Sequence, residues 1–311
     1  MISVITKRLL SLVFVLFSLT FITFMVGHLA PGDPIQGLLG NRRDPVRYAQ
    51  LRHDYGFDRP LPEQYFSYVT GLVQGDLGKS FKYAGRPVSE ILSRGVGVSL
   101  SLGLVALLVS TLVGIPAGVF AALNHNKLPD RLVMFIMLSL FSVPSFVLIP
   151  IVRVFDFMAY DRGLPNLPVA GWGTPSHWVL PVFVLAAASA GYITRLTRAS
   201  MLEVLRQDYV RTAYSKGLSD FAVNVRHALR NALLPIVTVL GPSTAFLVTG
   251  SFVVESIFSV PGIGFISVQS IGQRDYPVIQ ATTLILGVAV VAMNLITDIV
   301  YVFLDPRIRV S

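Results

Sequence analysis

Between Asp208 and Pro235 the chain reads DYVRTAYSKGLSDFAVNVRHALRNALLP. Side chains of two kinds gather there: the cations Arg211, Lys216, Arg226 and Arg230, and the apolar or small groups Tyr209, Ala213, Leu218 and Phe221, with Thr212 among them and Gly217 dividing the run. The chemistry open to such a set is contact rather than bond-making, since none of these groups is a nucleophile set beside a base. The rest of the chain adds no reactive centre. It has no cysteine, hence no disulfide, thiolate or cysteine metal site. No G-x-x-x-x-G-K-[ST] run is present to cradle the phosphates of ATP. Neither His/Glu metal spacing nor a nucleophile elbow occurs. The chain is expected to be no enzyme, with no catalytic residue and no metal site of its own.

The elements that hold these groups follow from periodicity. From Met201 to Ala213, the apolar residues Leu202, Leu205, Tyr209 and Ala213 fall three, four and four apart and predict one helical face. Gly217 predicts its end, because glycine enters the left-handed region without steric cost. Ser219 or Asp220 then caps a second helix on which Phe221, Val225, Ala228 and Leu229 share a face. A plain connection between two elements is usually shorter, so this helix-turn-helix has the form of something to be gripped by another protein. The same arginines equally suit an amphipathic helix resting on anionic lipid, and pattern alone leaves both readings open.

The surroundings are apolar. Hydrophobic residues make up 53% of the chain, charged ones 14%, and the mean hydropathy is +0.66, whereas soluble domains average about 25% charged. Runs long enough to cross about 30 Å of hydrocarbon as helices lie at Leu9–Leu29, Val98–Leu123, Leu132–Phe155, Val179–Thr194, Leu233–Ile257 and Val278–Phe303. The expected fold is all-α: a polytopic membrane protein with six transmembrane helices and a small extracytoplasmic cap between the first two. The corresponding segments are 1–29 (first helix), 30–97 (cap), 98–303 (five-helix core, containing the loop 195–232) and 304–311 (tail). Lys7 and Arg8 precede an apolar run too long for a secretory signal, with no small-residue cleavage site after it, so the first helix is expected to be retained.

Lys and Arg in short loops set orientation. With both termini inside, the inner segments hold Lys7, Arg8, Lys127, Arg131, Arg195, Arg198, Arg206, Arg211, Lys216, Arg226, Arg230, Arg307 and Arg309, against Arg162 and Arg274 in the short outer loops. Segment 30–97 carries nine more basic residues but is too long for the charge rule. The net charge of +8 is thus mostly topology, and its spread over several loops argues against a nucleic-acid partner. The aromatic content of 30–97 predicts an ordered cap, with helices near Pro45–His53 and Pro62–Leu72, each with proline near its start.

Gly114, Pro116, Pro144, Pro150, Gly241 and Pro242 interrupt the spans. They fit kinked helices around a pathway, or only the general abundance of Gly and Pro in membrane helices. The small residues Ala186 to Gly191 favour close helix packing. Asp298, Glu255, Arg153 and Asp156 are placed near span ends, within reach of water or of each other, and this scarcity of deep charge argues against an ion-driven carrier. Ser243, Thr244, Thr249 and Ser251 are candidates to line a pathway, although each hydroxyl can instead bond its own helix.

The hairpin resembles the coupling loop of bacterial ABC-importer permeases, in the variant of the oligopeptide and dipeptide permease family: RTA at Arg211–Ala213, then KGL at Lys216–Leu218. Further motifs similar to that family run the length of the chain: LAPGDP at Leu29–Pro34, YGFDRPLPEQY at Tyr55–Tyr65, GDLGKSF at Gly75–Phe81, VESIFSVPGIG at Val254–Gly264, RDYPV at Arg274–Val278 and DPRIR at Asp305–Arg309. The FKY at Phe81–Tyr83 leans towards the first-subunit type. The stretch from Gly217 to Pro235 is longer than in sugar or amino-acid permeases, which is itself a trait of the peptide branch.

The resemblance implies a permease subunit in the bacterial inner membrane forming half of a pathway for di- and oligopeptides. It implies Tyr209, Arg211, Thr212, Ala213, Lys216, Gly217, Leu218, Phe221 and Arg226 as the contact with an ATPase. The implied partners are a homologous second permease, two ATP-binding subunits that hold ATP and Mg, and an extracytoplasmic peptide-binding protein; this chain would need no cofactor. Similar permeases carry nickel complexes, glutathione or peptide-like antibiotics, and an ATP-independent channel or carrier is the reading from a different class.

Overall fold

The computed structural model describes residues 2–29, 34–39, 44–83, 85–237 and 252–304. Its helices are α1 (Ile2–Leu29), α2 (Pro34–Leu39), α3 (Pro45–Asp54), α4 (Leu61–Val73), α5 (Val88–Leu123), α6 (Leu128–Ser142), α7 (Ser145–Tyr160), α8 (Ser176–Val204), α9 (Asp208–Ser215), a π-helical stretch Ala222–Leu229, α10 (Phe252–Ile257), α11 (Ile263–Gln273) and α12 (Tyr276–Leu304). No β-strand occurs among the described residues, where a lone bridge joins Lys79 and Pro87.

Segments within α1, α5, α8 and α12 are each long and apolar enough to cross a membrane. They answer to the first, second, fourth and sixth expected spans. The third does not form as one helix: α6 and α7 meet at an angle of 117°. Pro144 is the cause, since its ring pushes the preceding residue out of the helical region, and Val143 sits extended at φ −82°, ψ 119°. Most of the fifth expected span lies outside the described residues, as do Gly241 and Pro242. Pro116 and Pro150, by contrast, sit inside helices that continue through them. The two expected short helices of segment 30–97 are α3 and α4. Asp44 caps α3, its carboxylate accepting from the Val46 and Arg47 amides at 3.1 Å each, and Pro45 follows at the position where a missing N–H costs nothing.

The chain divides into two compact units, one built from residues 1–99 and 261–291, the other from 100–260 and 292–309. In the first, Val88, Leu92, Ile263, Val278 and Ala281 form a buried apolar cluster, and the Ser99 hydroxyl oxygen accepts from the Ile263 amide at 2.8 Å.

In the second unit, helices approach through small residues. Gly114 and Gly118, one helical turn apart on α5, face α8: a Cβ on Gly118 would stand 2.5 Å from the Thr197 side chain and 2.7 Å from the Thr194 carbonyl. A Cβ on Gly191 would collide with the Met137 carbonyl of α6. Ala186, Ala187, Ala190 and Gly191 are buried, the close packing expected of that run. Arg153 and Asp156 pair at 3.2 Å, and the Leu167 amide donates to Asp156 at 3.3 Å. Glu255, expected to reach water, is instead fully buried, because α10 packs against α7 and α8. The side chain of Asp298 lies outside the described residues.

Candidate functional site

The expected helix Met201–Ala213 is broken. α8 stops at Val204, the chain turns at Leu205 and Arg206, and α9 begins after an extended Gln207 (φ −76°, ψ 148°). The break divides the expected face. Leu202 packs beside buried Met201, Ala122, Ala228 and Ala232, and Leu205 touches both that core and the next. Ala213 instead joins Val210 and Val223 in a separate small core. Tyr209 falls off the buried face, and its hydroxyl accepts from the Asn231 amide at 2.8 Å. That bond ties the two arms of the hairpin together.

Gly217 ends α9 as expected, at φ +76°. The Leu218 amide reaches back to the Ala213 carbonyl at 3.4 Å and the Gly217 amide to Tyr214 at 2.9 Å. This is the pair of backward bonds that closes a helix through a left-handed residue. Of the two expected caps, Ser219 serves: its hydroxyl oxygen accepts from the Ala222 amide at 3.4 Å and its carbonyl from Val223 at 3.0 Å.

The second arm departs from the expected face. Residues 222–229 form a π-helix, with helical turns at 220–221 and 230–237 on either side. A ladder that bonds five residues back puts Val223 and Ala228 inward, where 3.6-residue spacing had selected Phe221, Val225, Ala228 and Leu229. Of that set Ala228 is fully buried and Leu229 packs partly beside it, while Val225 is exposed and Phe221 is 77% exposed.

The hairpin thus presents a tip that is apolar yet uncovered: Tyr209, Tyr214, Leu218, Phe221 and Val225 are all exposed. Lys216, Arg226 and Arg230 stand exposed around it, without an ion pair among the described residues. Arg211 lies 3.9 Å from Asp208, both nearly fully exposed, and such a pair contributes about 0–1 kcal/mol. The Thr212 hydroxyl bonds the Asp208 carbonyl of its own helix at 2.9 Å. An exposed apolar tip ringed by cations is suited to binding another surface. Ser243, Thr244, Thr249 and Ser251 lie outside the described residues.

Sequence reasoning missed the clamp behind the hairpin. Arg198 near the end of α8 grips Asp130 of α6 with two bonds, Nε to Oδ1 at 2.6 Å and Nη2 to Oδ2 at 2.7 Å. The Asn126 amide donates to the same carboxylate at 2.9 Å, and Nη2 also meets His125 Nδ1 at 3.0 Å. Arg198 had counted only as one loop cation among many, and 68 residues separate it from Asp130.

Long apolar helices, in the second unit packed through glycine and carrying an exposed hairpin, define a polytopic helical membrane protein. Known proteins agree. Residues 114–310 match the model of the binding-protein-dependent transport system inner membrane component, and residues 1–101 match that of its N-terminal region. The chain is 40% identical to the dipeptide transport system permease protein DppB of Bacillus subtilis, covering 97% of this chain and 96% of that one. It is 38% identical to the glutathione transport system permease protein GsiC of Escherichia coli K12, covering 99% of both. A solved inward-facing structure of the MetNI methionine ABC transporter superposes with a TM-score of 0.57 at 18% identity, over 69% of this chain and 96% of that one, a likeness of fold alone. The chain belongs to the family of binding-protein-dependent transport system inner membrane components.

Proposed function

We propose that this chain forms half of the pathway of an ATP-driven importer for di- and oligopeptides. In this reading six spans cross the inner membrane, both termini and the hairpin 208–232 lie in the cytoplasm, and segment 30–97 is an extracytoplasmic cap. Two ATPase subunits bind ATP and Mg and grip the hairpin tip; a homologous permease completes the pathway, and a binding protein delivers cargo from outside. The observation that carries the reading is the uncovered apolar tip at Leu218 and Phe221, held rigid behind by the closure at Gly217 and the Tyr209–Asn231 bond. Motion of the ATPases then reaches the helices as a push on a stiff lever. The two cargoes named for the relatives above, dipeptides and glutathione, share a peptide backbone, which supports a small-peptide cargo for this chain.

The test is uptake of radiolabelled dialanine into vesicles containing this permease with its second permease, ATPases and binding protein. ATP-dependent accumulation that is lost when the ATPases are omitted is the expected result. Uptake that persists without them would make the chain a channel or carrier.

A further inference from the structure

The first unit contains a cavity of about 410 Å³. The last turn of α1, one face of α4, the loops at 55–59 and 76–81 and the first turn of α12 line it. One wall is aromatic: Phe81 lies edge-on to Tyr55 at 5.0 Å and 5.9 Å from Phe57, which is 6.0 Å from the ring of His28. The Tyr68 hydroxyl, also at the cavity, is buried with no hydrogen-bond partner among the described residues.

Charge at the cavity is lopsided. His28 Nδ1 stands 2.9 Å from the Phe24 carbonyl oxygen and Nε2 stands 2.9 Å from Gln64 Oε1. The Gln64 amide cannot be turned round, because its Nε2 donates to the Arg59 carbonyl at 2.7 Å. Those two bonds of the ring hold the imidazole in place at the cavity wall. Arg59 and Lys79 add two cations with no ion pair among the described residues. Among the described residues the lining has one carboxylate, Asp76, which accepts from the Gly78 amide at 2.8 Å.

Depth supplies the remaining constraint. The cavity sits where the apolar window of α1 ends, at Leu29, and where that of α12 begins, at Tyr276. That is the level of lipid headgroups in a bilayer. Just below it on α1, Phe21, Ile22 and Val26 are exposed and apolar, a track for hydrocarbon.

We propose that this cavity seats the phosphate-bearing headgroup of an anionic glycerophospholipid, with Arg59 and Lys79 meeting the phosphate and an acyl chain descending along α1. A zwitterionic peptide would bring an ammonium group as well, and two cations against one carboxylate among the described lining residues favour an anion.

The test uses the full chain purified in detergent, with binding followed by native mass spectrometry. The probes are dihexanoyl phosphatidylglycerol, dihexanoyl phosphatidylcholine, glycerol 3-phosphate and dialanine. Phosphatidylglycerol is expected to bind about tenfold tighter than phosphatidylcholine, and R59Q/K79Q to remove that preference, in line with the contribution of basic residues near a membrane surface. Both side chains are exposed, and the Arg59 contact to Gln64 is made by its backbone, so the variant should fold. The charge-retaining R59K/K79R should keep the preference. Equal affinity for the two lipids, or wild-type binding by R59Q/K79Q, would overturn the proposal. Glycerol 3-phosphate binding as tightly as phosphatidylglycerol would assign the site to a soluble phosphate, and displacement of phosphatidylglycerol by dialanine would assign it to peptide; either refutes the lipid assignment.

Discussion

The Ser80 hydroxyl donates to the Asp275 carboxylate at 2.5 Å across 195 residues of sequence, and both side chains are buried. Asp275 also accepts from the Phe81 amide at 3.0 Å and the Lys82 amide at 3.3 Å, while Ser80 Oγ accepts from Tyr83 at 2.9 Å. One carboxylate thus fastens the loop after α4 to the residue just before α12. Removing it strands a hydroxyl and two amides, and each buried group left unpaired costs about 1–3 kcal/mol. Asp275→Ala is expected to destabilise the purified chain by roughly 3 kcal/mol and Ser80→Ala by roughly 1 kcal/mol. Thermal unfolding in detergent, with proteolysis of residues 76–87 as the local readout, checks this. Equal losses in the two variants would remove Asp275 from the role of anchor.

Burial, followed by the nearby Tyr65, pushes the Tyr68 hydroxyl up from 10.0 to about 12. A group that holds its proton more tightly folded than unfolded stabilises the fold fully below the unfolded value. That stability drains as pH rises from about 10 to about 12, by roughly 2–3 kcal/mol in all. Tyr68→Phe should abolish this alkaline loss. At pH 7 it should change stability by less than about 1 kcal/mol, since the hydroxyl has no hydrogen bond to lose among the described residues. Unfolding midpoints measured from pH 8 to 12.5 for both proteins decide the matter, and parallel curves would refute it.

Local physics made part of this fold legible in the sequence. The long apolar runs, Pro45 at the start of α3 and Gly217 at the end of α9 each act through their own neighbours, so spacing finds them. Val143 shows where this stops. Its proline neighbour was visible, but many prolines interrupt these helices, and spacing alone does not tell Pro144, where the helix breaks, from Pro116, where it continues. The π-helix defeated the face assignment at Phe221 and Val225 because periodicity analysis assumes the 3.6-residue turn it is meant to detect. Ser80–Asp275, Arg198–Asp130 and the cavity at His28 join residues tens to hundreds apart, and no local pattern announces such meetings.

Arg198 and Asp130 provide the sharpest test of the clamp between α6 and α8. The Asp130 side chain is 3% exposed and Arg198 is its bidentate partner. Arg198→Ala should therefore cost about 3–5 kcal/mol, chiefly from the charge left behind. Asp130→Asn placed on that background should recover part of the loss, because a neutral amide is cheaper to bury than an unpaired carboxylate. A double variant as unstable as the sum of the two single variants would show that the residues act independently.

Gly217 has open space where a Cβ would go, so substitution there strains only the backbone, at φ +76°. Gly217→Val should cost about 1–2 kcal/mol locally, and Gly217→Asn less, since asparagine tolerates the left-handed region. In the reconstituted importer, Gly217→Val is expected to lower peptide-stimulated ATP turnover while leaving basal ATPase activity of the free ATPases unchanged. Normal stimulated turnover in that variant would refute a coupling role for the turn.

Charge and apolar contact at the hairpin tip make different demands on an ATPase partner. Each exposed ion pair formed by Lys216, Arg226 or Arg230 contributes about 0–1 kcal/mol and weakens with salt. Burying Phe221, now 77% exposed, contributes about 1.5–3 kcal/mol and is insensitive to salt. Phe221→Ala should therefore loosen assembly with the ATPases by about tenfold or more at any ionic strength. The triple variant K216A/R226A/R230A should match wild type at high salt and fall behind only at low salt. Titration of ATPase onto the detergent-solubilised permease pair at 50 mM and 500 mM NaCl separates the two contributions. If the triple variant is the weaker binder at high salt, charge rather than shape holds the hairpin in its seat.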